Sequence, residues 1–160
     1  MQLSSLEKLS IFDLAKDCCS GRNNNQLTRF VIADGLSADL AELINGAKEP
    51  VFQIGSTDDP IKLISKVLKR QRQEDQFVEE LHLIAHGSQE GIYLGGQFID
   101  ANELENSAVE LGSWNLKRIV LWSCYIGSNS QWIDKLEELI GAEVFSSQDQ
   151  INREQNCVQS

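Results

Sequence analysis

Two short segments combine residue types that can do covalent chemistry at neutral pH. The apolar run Leu81-His82-Leu83-Ile84-Ala85 ends in His86-Gly87-Ser88, and Arg118-Ile119-Val120-Leu121-Trp122-Ser123 ends in Cys124-Tyr125. A free thiol with a pKa of about 8.5 is mostly protonated at neutral pH; a nearby imidazole lowers that value and raises the thiolate fraction. The same imidazole can return the proton to a leaving amine. Gly87 lets a substrate approach the backbone closely, and the amides of Gly87 and Cys124 can form an oxyanion hole that stabilises developing charge. Ser88, Ser123 and Trp122 flank this pair and are the candidate substrate contacts. The competing reading of each residue is plainer. A cysteine ending an apolar strand packs as a small hydrophobe, and His-Gly after a strand makes a turn.

His86 and Cys124 meet only if the elements that carry them are neighbours. From Arg29 onward short apolar runs alternate with helical patterns. Strands are expected at Arg29–Ala33, Val51–Ile54, Glu80–Ala85, Arg118–Ser123 and Glu143–Phe145. Helices are expected at Ala38–Gly46, from Pro60 with an apolar face of Ile61, Leu63, Ile64, Val67 and Leu68, from Asp100 to Leu111, and from Ser130. Gly95-Gly96, between Ile92-Tyr93-Leu94 and Gln97-Phe98-Ile99, reads as a two-residue hairpin turn. Strands that are nearly all apolar and alternate with helices form a parallel sheet covered on both faces. The expected fold is therefore α/β, a three-layer α/β/α sandwich with a mainly parallel sheet. Ligands of such sheets bind beyond the carboxyl ends of the strands, where His86 and Cys124 would share one crevice.

The chain of 160 residues has room for one domain, read here as residues 29–151. A helical extension with a linker precedes it over 1–28, and a polar tail follows over 152–160. A chain of this length buries roughly 68–70% of its unfolded surface and needs neither disulfide nor metal to hold a core. A net charge of −10 disfavours nucleic acid and anionic membranes as partners. No apolar run reaches the ~18 residues of a spanning helix, and the first residues lack a secretory pattern. Cys18, Cys19, Cys124 and Cys157 show no metal-ligand spacing, which suits a reducing compartment, so a cytoplasmic location is expected. His82 and His86 lie about 13 Å apart on a strand, too far to share a metal. No metal and no cofactor is expected. The basic run Lys66–Arg72 reads as a solvated helix end, with a self-processing segment as its rival; Asp58-Asp59 reads as the cap before Pro60.

The blocks Phe30-Val-Ile-Ala-Asp-Gly-Leu-Ser-Ala-Asp-Leu-Ala-Glu-Leu, Leu81-His-Leu-Ile-Ala-His-Gly-Ser, Ile92-Tyr-Leu-Gly, Ile119-Val-Leu-Trp-Ser-Cys and Leu139-Ile-Gly-Ala-Glu-Val-Phe-Ser-Ser resemble a bacterial domain of uncharacterised function. That domain is usually found near the start of large repeat-rich, often cyanobacterial, surface proteins. It is similar in turn to the caspase–gingipain–legumain clan of cysteine peptidases. The resemblance runs from about Arg29 to Ile151 and implies a caspase-like sandwich, with His86 as general base and acid, Cys124 as nucleophile and the Gly87 and Cys124 amides as oxyanion hole. It also implies a cell-surface or secreted setting within a longer protein as the alternative location. Caspases carry Gln-Ala-Cys-x-Gly at the nucleophile, whereas this chain has Trp122-Ser123-Cys124-Tyr125-Ile126-Gly127. Metacaspases place an acidic residue where Trp122 stands, so the preference for the residue before the cleaved bond does not carry over. The expected activity is that of a cysteine endopeptidase acting on a polypeptide, its own chain or a neighbouring protein. The alternative is a catalytically inactive interaction domain on the same fold, and a redox-responsive thiol domain using Cys18 or Cys19 is a third.

Overall fold

A computed structural model describes residues 28–40, 50–74, 76–123 and 130–146. The helix expected near the N-terminus, most of the helix expected over 38–46, all four cysteines, Tyr125 and the polar tail lie outside them. The described elements are β1 (Arg29–Asp34), β2 (Phe52–Ile54), α1 (Pro60–Gln73), β3 (Glu80–Ile84), β4 (Gly87–Ser88), β5 (Gly91–Leu94) and β6 (Gln97–Asp100). They continue through α2 (Ala101–Asn106), α3 (Ala108–Gly112), β7 (Arg118–Trp122), α4 (Ser130–Ile140) and β8 (Glu143–Ser146). No helix among the described residues is long and apolar enough to cross a membrane.

Five strands form one sheet in the order β2-β1-β3-β7-β8, with every pair parallel. The fold is α/β, as the strand–helix alternation predicts. All five residues of β3 are buried, as befits the central strand of a parallel sheet. Alternation along the strands sends Ile32, Leu81, Leu83, Ile119, Leu121 and Val144 to one face. There they join Ile61, Ile64 and Leu68 of α1, Leu104 of α2, Leu111 of α3, and Trp132 and Leu136 of α4 in a single apolar cluster. Right-handed crossovers explain this layer, because the β2–β3, β3–β7 and β7–β8 connections all travel the same way across the sheet. The β1–β2 connection travels the other way across the sheet. It begins with helical residues 38–40. Leu40 is fully buried there, apart from the main cluster.

Local chemistry sets the element ends. The Asp59 carboxylate accepts from the Lys62 amide at 3.0 Å ahead of Pro60, the first residue of α1. This satisfies an amide that the helix leaves unpaired. Gly95 (φ 64°) and Gly96 (φ 85°) form the turn between β5 and β6, both in the left-handed region that a two-residue hairpin turn requires. A Cβ on Gly95 would stand 2.6 Å from Thr57 Cγ2, so the turn also needs glycine for its close approach to the β2–α1 connection. The single helix expected from Asp100 to Leu111 is two. Asp100 caps α2 through the Glu103 amide at 2.9 Å. The backbone then leaves helical values at Ser107 (φ −106°, ψ 21°), and α3 begins at Ala108. A helical periodicity interrupted at one residue keeps its apolar spacing, which is why Leu104 and Leu111 still share the cluster.

The second face of the sheet carries a polar line through its interior. Glu80 and His82 of β3 stand beside Arg118 and Val120 of β7 in register, and Trp122 follows two residues on. The Trp122 indole donates to His82 Nδ1 at 3.0 Å. His82 Nε2 lies 2.8 Å from Glu80 Oε1, and Arg118 Nη1 donates to Glu80 Oε2 at 3.2 Å. An indole N–H can only donate. Nδ1 therefore accepts, and Nε2 carries the ring proton that His82 gives to Glu80. Burial pushes the Glu80 carboxyl up, but the His82 hydrogen bond and the Arg118 charge outweigh it and hold the group below its ordinary 4.5.

Two predictions follow from this packing. Ile84, buried on the second face, should lose about 2–5 kcal/mol of stability on truncation to Ala. A loss under about 1 kcal/mol in urea denaturation would mean that this face is not tightly covered. A depressed carboxyl adds stability that is complete above its unfolded pKa and fades as pH drops through its folded value. The stability difference between the native protein and Glu80→Gln should therefore be constant above about pH 5 and shrink as pH falls below about 4.5. Denaturation curves at several pH values measure it, and a difference independent of pH would refute the assignment.

Candidate functional site

The carboxyl edge of the sheet is where the chemistry-bearing side chains collect. The β3–β7 ladder pairs Ile84 with Trp122, and the Ala85 amide extends it by donating to the Trp122 carbonyl at 3.3 Å. His86 is the next residue, and the β4–β5–β6 sheet begins immediately after it. Its carbonyl accepts from the Tyr93 amide at 2.8 Å, so the β5 strand anchors its backbone. Its ring Nε2 lies 3.0 Å from Asp39 Oδ1. The imidazole is 29% exposed and the carboxylate 51%, which leaves the pair open to solvent at the mouth of the sheet.

Asp39 reaches His86 because β1 and β3 are neighbours. The strand order reverses between them: β1 connects to one side and β3 to the other. In open parallel sheets ligands bind beyond the strand ends at such a reversal of strand order. Asp34 closes β1 and holds the local turn. Its Oδ1 accepts from the Leu36 amide at 3.4 Å and from the Gly95 amide at 3.2 Å. The Gly35 amide donates to the Ile54 carbonyl at 2.8 Å. One carboxylate thus ties the end of β1 to the turn at Leu36 and to the tip of the β5–β6 hairpin. Burial pushes the Asp39 carboxyl up, but the His86 hydrogen bond and charge, helped by the Leu40 and Asp39 amides, keep it below its ordinary value.

The remaining sequence-derived candidates fall into three situations. Gly87 pairs with Ile92 in the β4–β5 ladder. The Tyr93–His86 bond spans that pair and marks it as the non-hydrogen-bonded kind, so the Gly87 amide points away from the β5 strand. Ser88 Oγ accepts from the Glu90 amide at 3.1 Å and caps the tight turn there. Trp122 is 2% exposed with its indole committed to His82. Its ring stands in the sheet interior beside His82. Ser123 is also buried, and its Oγ has no hydrogen-bond partner among the described residues. Cys124 lies outside the described residues. His82 belongs to the interior polar line rather than to the site.

Reading the sequence alone missed Asp34 and Asp39. Asp34 ends β1 and Asp39 stands in the helical residues that follow it, and only the order of β1 and β3 makes Asp39 a neighbour of His86. Among the described residues no group of three or more His, Cys, Asp or Glu is gathered closely enough to hold a metal ion.

No curated protein and no solved structure matches this chain. One family profile does, across residues 30–156, from the first residues of β1 to beyond β8. Its span contains both the His86 and the Cys124 segments, and by this match the chain belongs to the family described as "Domain of unknown function (DUF4347)".

Proposed function

We propose that this domain is a cysteine endopeptidase of caspase-like type, with Cys124 as nucleophile and His86 as general base and acid. The observation that carries the reading is the register of β3 and β7. These strands are parallel neighbours that pair Ile84 with Trp122, and His86 and Cys124 each follow two residues later. His86 supplies an imidazole that is solvent-accessible and held at both ring and backbone. The resemblance of the His86-Gly87 and Ser123-Cys124 blocks to the caspase–gingipain–legumain clan points the same way.

In the proposed reaction His86 takes the thiol proton and the Cys124 sulfur attacks a peptide carbonyl carbon. Negative charge develops on the carbonyl oxygen, toward which the Gly87 and Cys124 amides can donate. The C–N bond breaks, the imidazolium protonates the leaving amine, and a thioester remains. Water, deprotonated by His86, hydrolyses the thioester and restores the thiol. The substrate is a polypeptide, this chain or a neighbour.

Burial of Trp122 and Ser123 favours a second reading, an inactive interaction domain in which the thiol is a packing residue. Timed iodoacetamide labelling with peptide mass spectrometry separates the two. At about pH 6.5 an unperturbed thiol is only ~1% thiolate. An activated Cys124 should then react about tenfold or more faster than Cys18, Cys19 or Cys157, and His86→Ala should slow Cys124 alone. Equal rates at all four cysteines would leave the interaction domain as the reading that stands.

A further inference from the structure

We infer that Asp39 is a positioning residue of this site, fixing His86 as the Nε2–H tautomer so that Nδ1 is the basic nitrogen offered to the thiol. The thiol's part in this rests on the peptidase reading above; the tautomer does not. Asp39 Oδ1 stands 3.0 Å from His86 Nε2. An ionised carboxylate only accepts hydrogen bonds, and a neutral imidazole carries one N–H and one lone pair. Nε2 must therefore hold the proton, and the lone pair is on Nδ1.

The exposure of the pair argues for orientation over stability. A contact with one partner 51% and the other 29% exposed adds little to folding in water. Yet the surroundings hold both groups in place. Asp34 fixes the turn that leads from β1 to Asp39 through the Leu36 and Gly95 amides, and the next residue after Asp39, Leu40, is fully buried. On the other side, the Ala85 amide and the His86 carbonyl hold the segment against the β7 and β5 strands. The two side chains come from sequence positions 47 residues apart and meet where the sheet opens for ligands. A nucleophile, a base and a third group orienting the base is the arrangement that activates thiols and hydroxyls on unrelated folds.

Nitrogen-detected NMR of the imidazole rings in the full chain tests the tautomer directly, since the chain has only two histidines, His82 and His86. The His86 ring should show a protonated Nε2 and an unprotonated Nδ1 at about pH 8, where an imidazole is neutral. Asp39→Asn, whose amide can donate to Nε2 as well as accept from it, should shift the ring toward the Nδ1–H tautomer, and Asp39→Ala should give a mixture of tautomers. In parallel, Asp39→Ala should slow Cys124 alkylation about tenfold or more, the scale of losing an orienting carboxylate. It should have no further effect when combined with His86→Ala, because Asp39 acts through the ring. A protonated Nδ1 in the native chain would overturn the inference. So would alkylation indifferent to Asp39→Ala but sensitive to His86→Ala, a result that leaves the peptidase reading intact. Alkylation indifferent to His86→Ala would sink both.

Discussion

The β3 strand is hydrogen-bonded along both edges and buried on both faces, and the rest of the molecule answers to that constraint. A strand so placed has no solvent to satisfy its backbone, so its amides and carbonyls must pair with β1 and β7. The pairing is parallel on both sides, and parallel neighbours need long crossover connections. Those connections are the helices. Their shared handedness gathers α1, α2, α3 and α4 over one face. The site inherits its location from this order, because the direction of crossing reverses between β1 and β3.

The same strand carries a load unusual for a sheet interior. Two of its five residues, Glu80 and His82, are polar and buried, and burial of unpaired groups of this kind is expensive. Cost is avoided by matching donors to acceptors along one line: indole to imidazole, imidazole to carboxylate, guanidinium to carboxylate. Removing one partner of a buried ionic contact typically does more harm than never having had it. The line therefore locks the register of β3 against β7, since a shift of one residue would send Glu80 and His82 to the opposite face from Arg118 and Trp122. It also fixes the two strand ends, Ile84 and Trp122, beyond which His86 and Cys124 follow in the chain.

At the edge the balance changes from burial to access. His86 and Asp39 are paired in a partly open setting, and the hairpin tip at Gly95 is drawn in by Asp34. Small structural choices, a two-residue β4 and a glycine turn, bring the antiparallel sheet up against the parallel one. The family to which the chain belongs has no described function. A reading of its chemistry rests on which side chains this edge collects, and a peptidase is the reading that gives the imidazole and the cysteine segment a common purpose.

Much of the architecture was legible in the residues themselves. Apolar runs located all five parallel strands to within a residue or two, and Asp59-Pro60 marked the start of α1. Gly95-Gly96 marked a hairpin whose turn has the two positive φ values that such a pair supplies. These signals are local: periodicity, capping and turn chemistry act over a few residues. The β4 strand was not legible because two residues carry no period, and the break at Ser107 was hidden because Leu104 and Leu111 keep helical spacing across it. His82 was readable as a strand residue, yet its tautomer depends on an indole 40 positions away. Asp39 was readable as a helix residue, yet its meeting with His86 depends on β1 lying beside β3. The sequence by itself determined the elements and the reactive residue types. Only the tertiary structure decided strand order and register, because those follow from long-range packing and crossover handedness, which no local stretch of chain encodes.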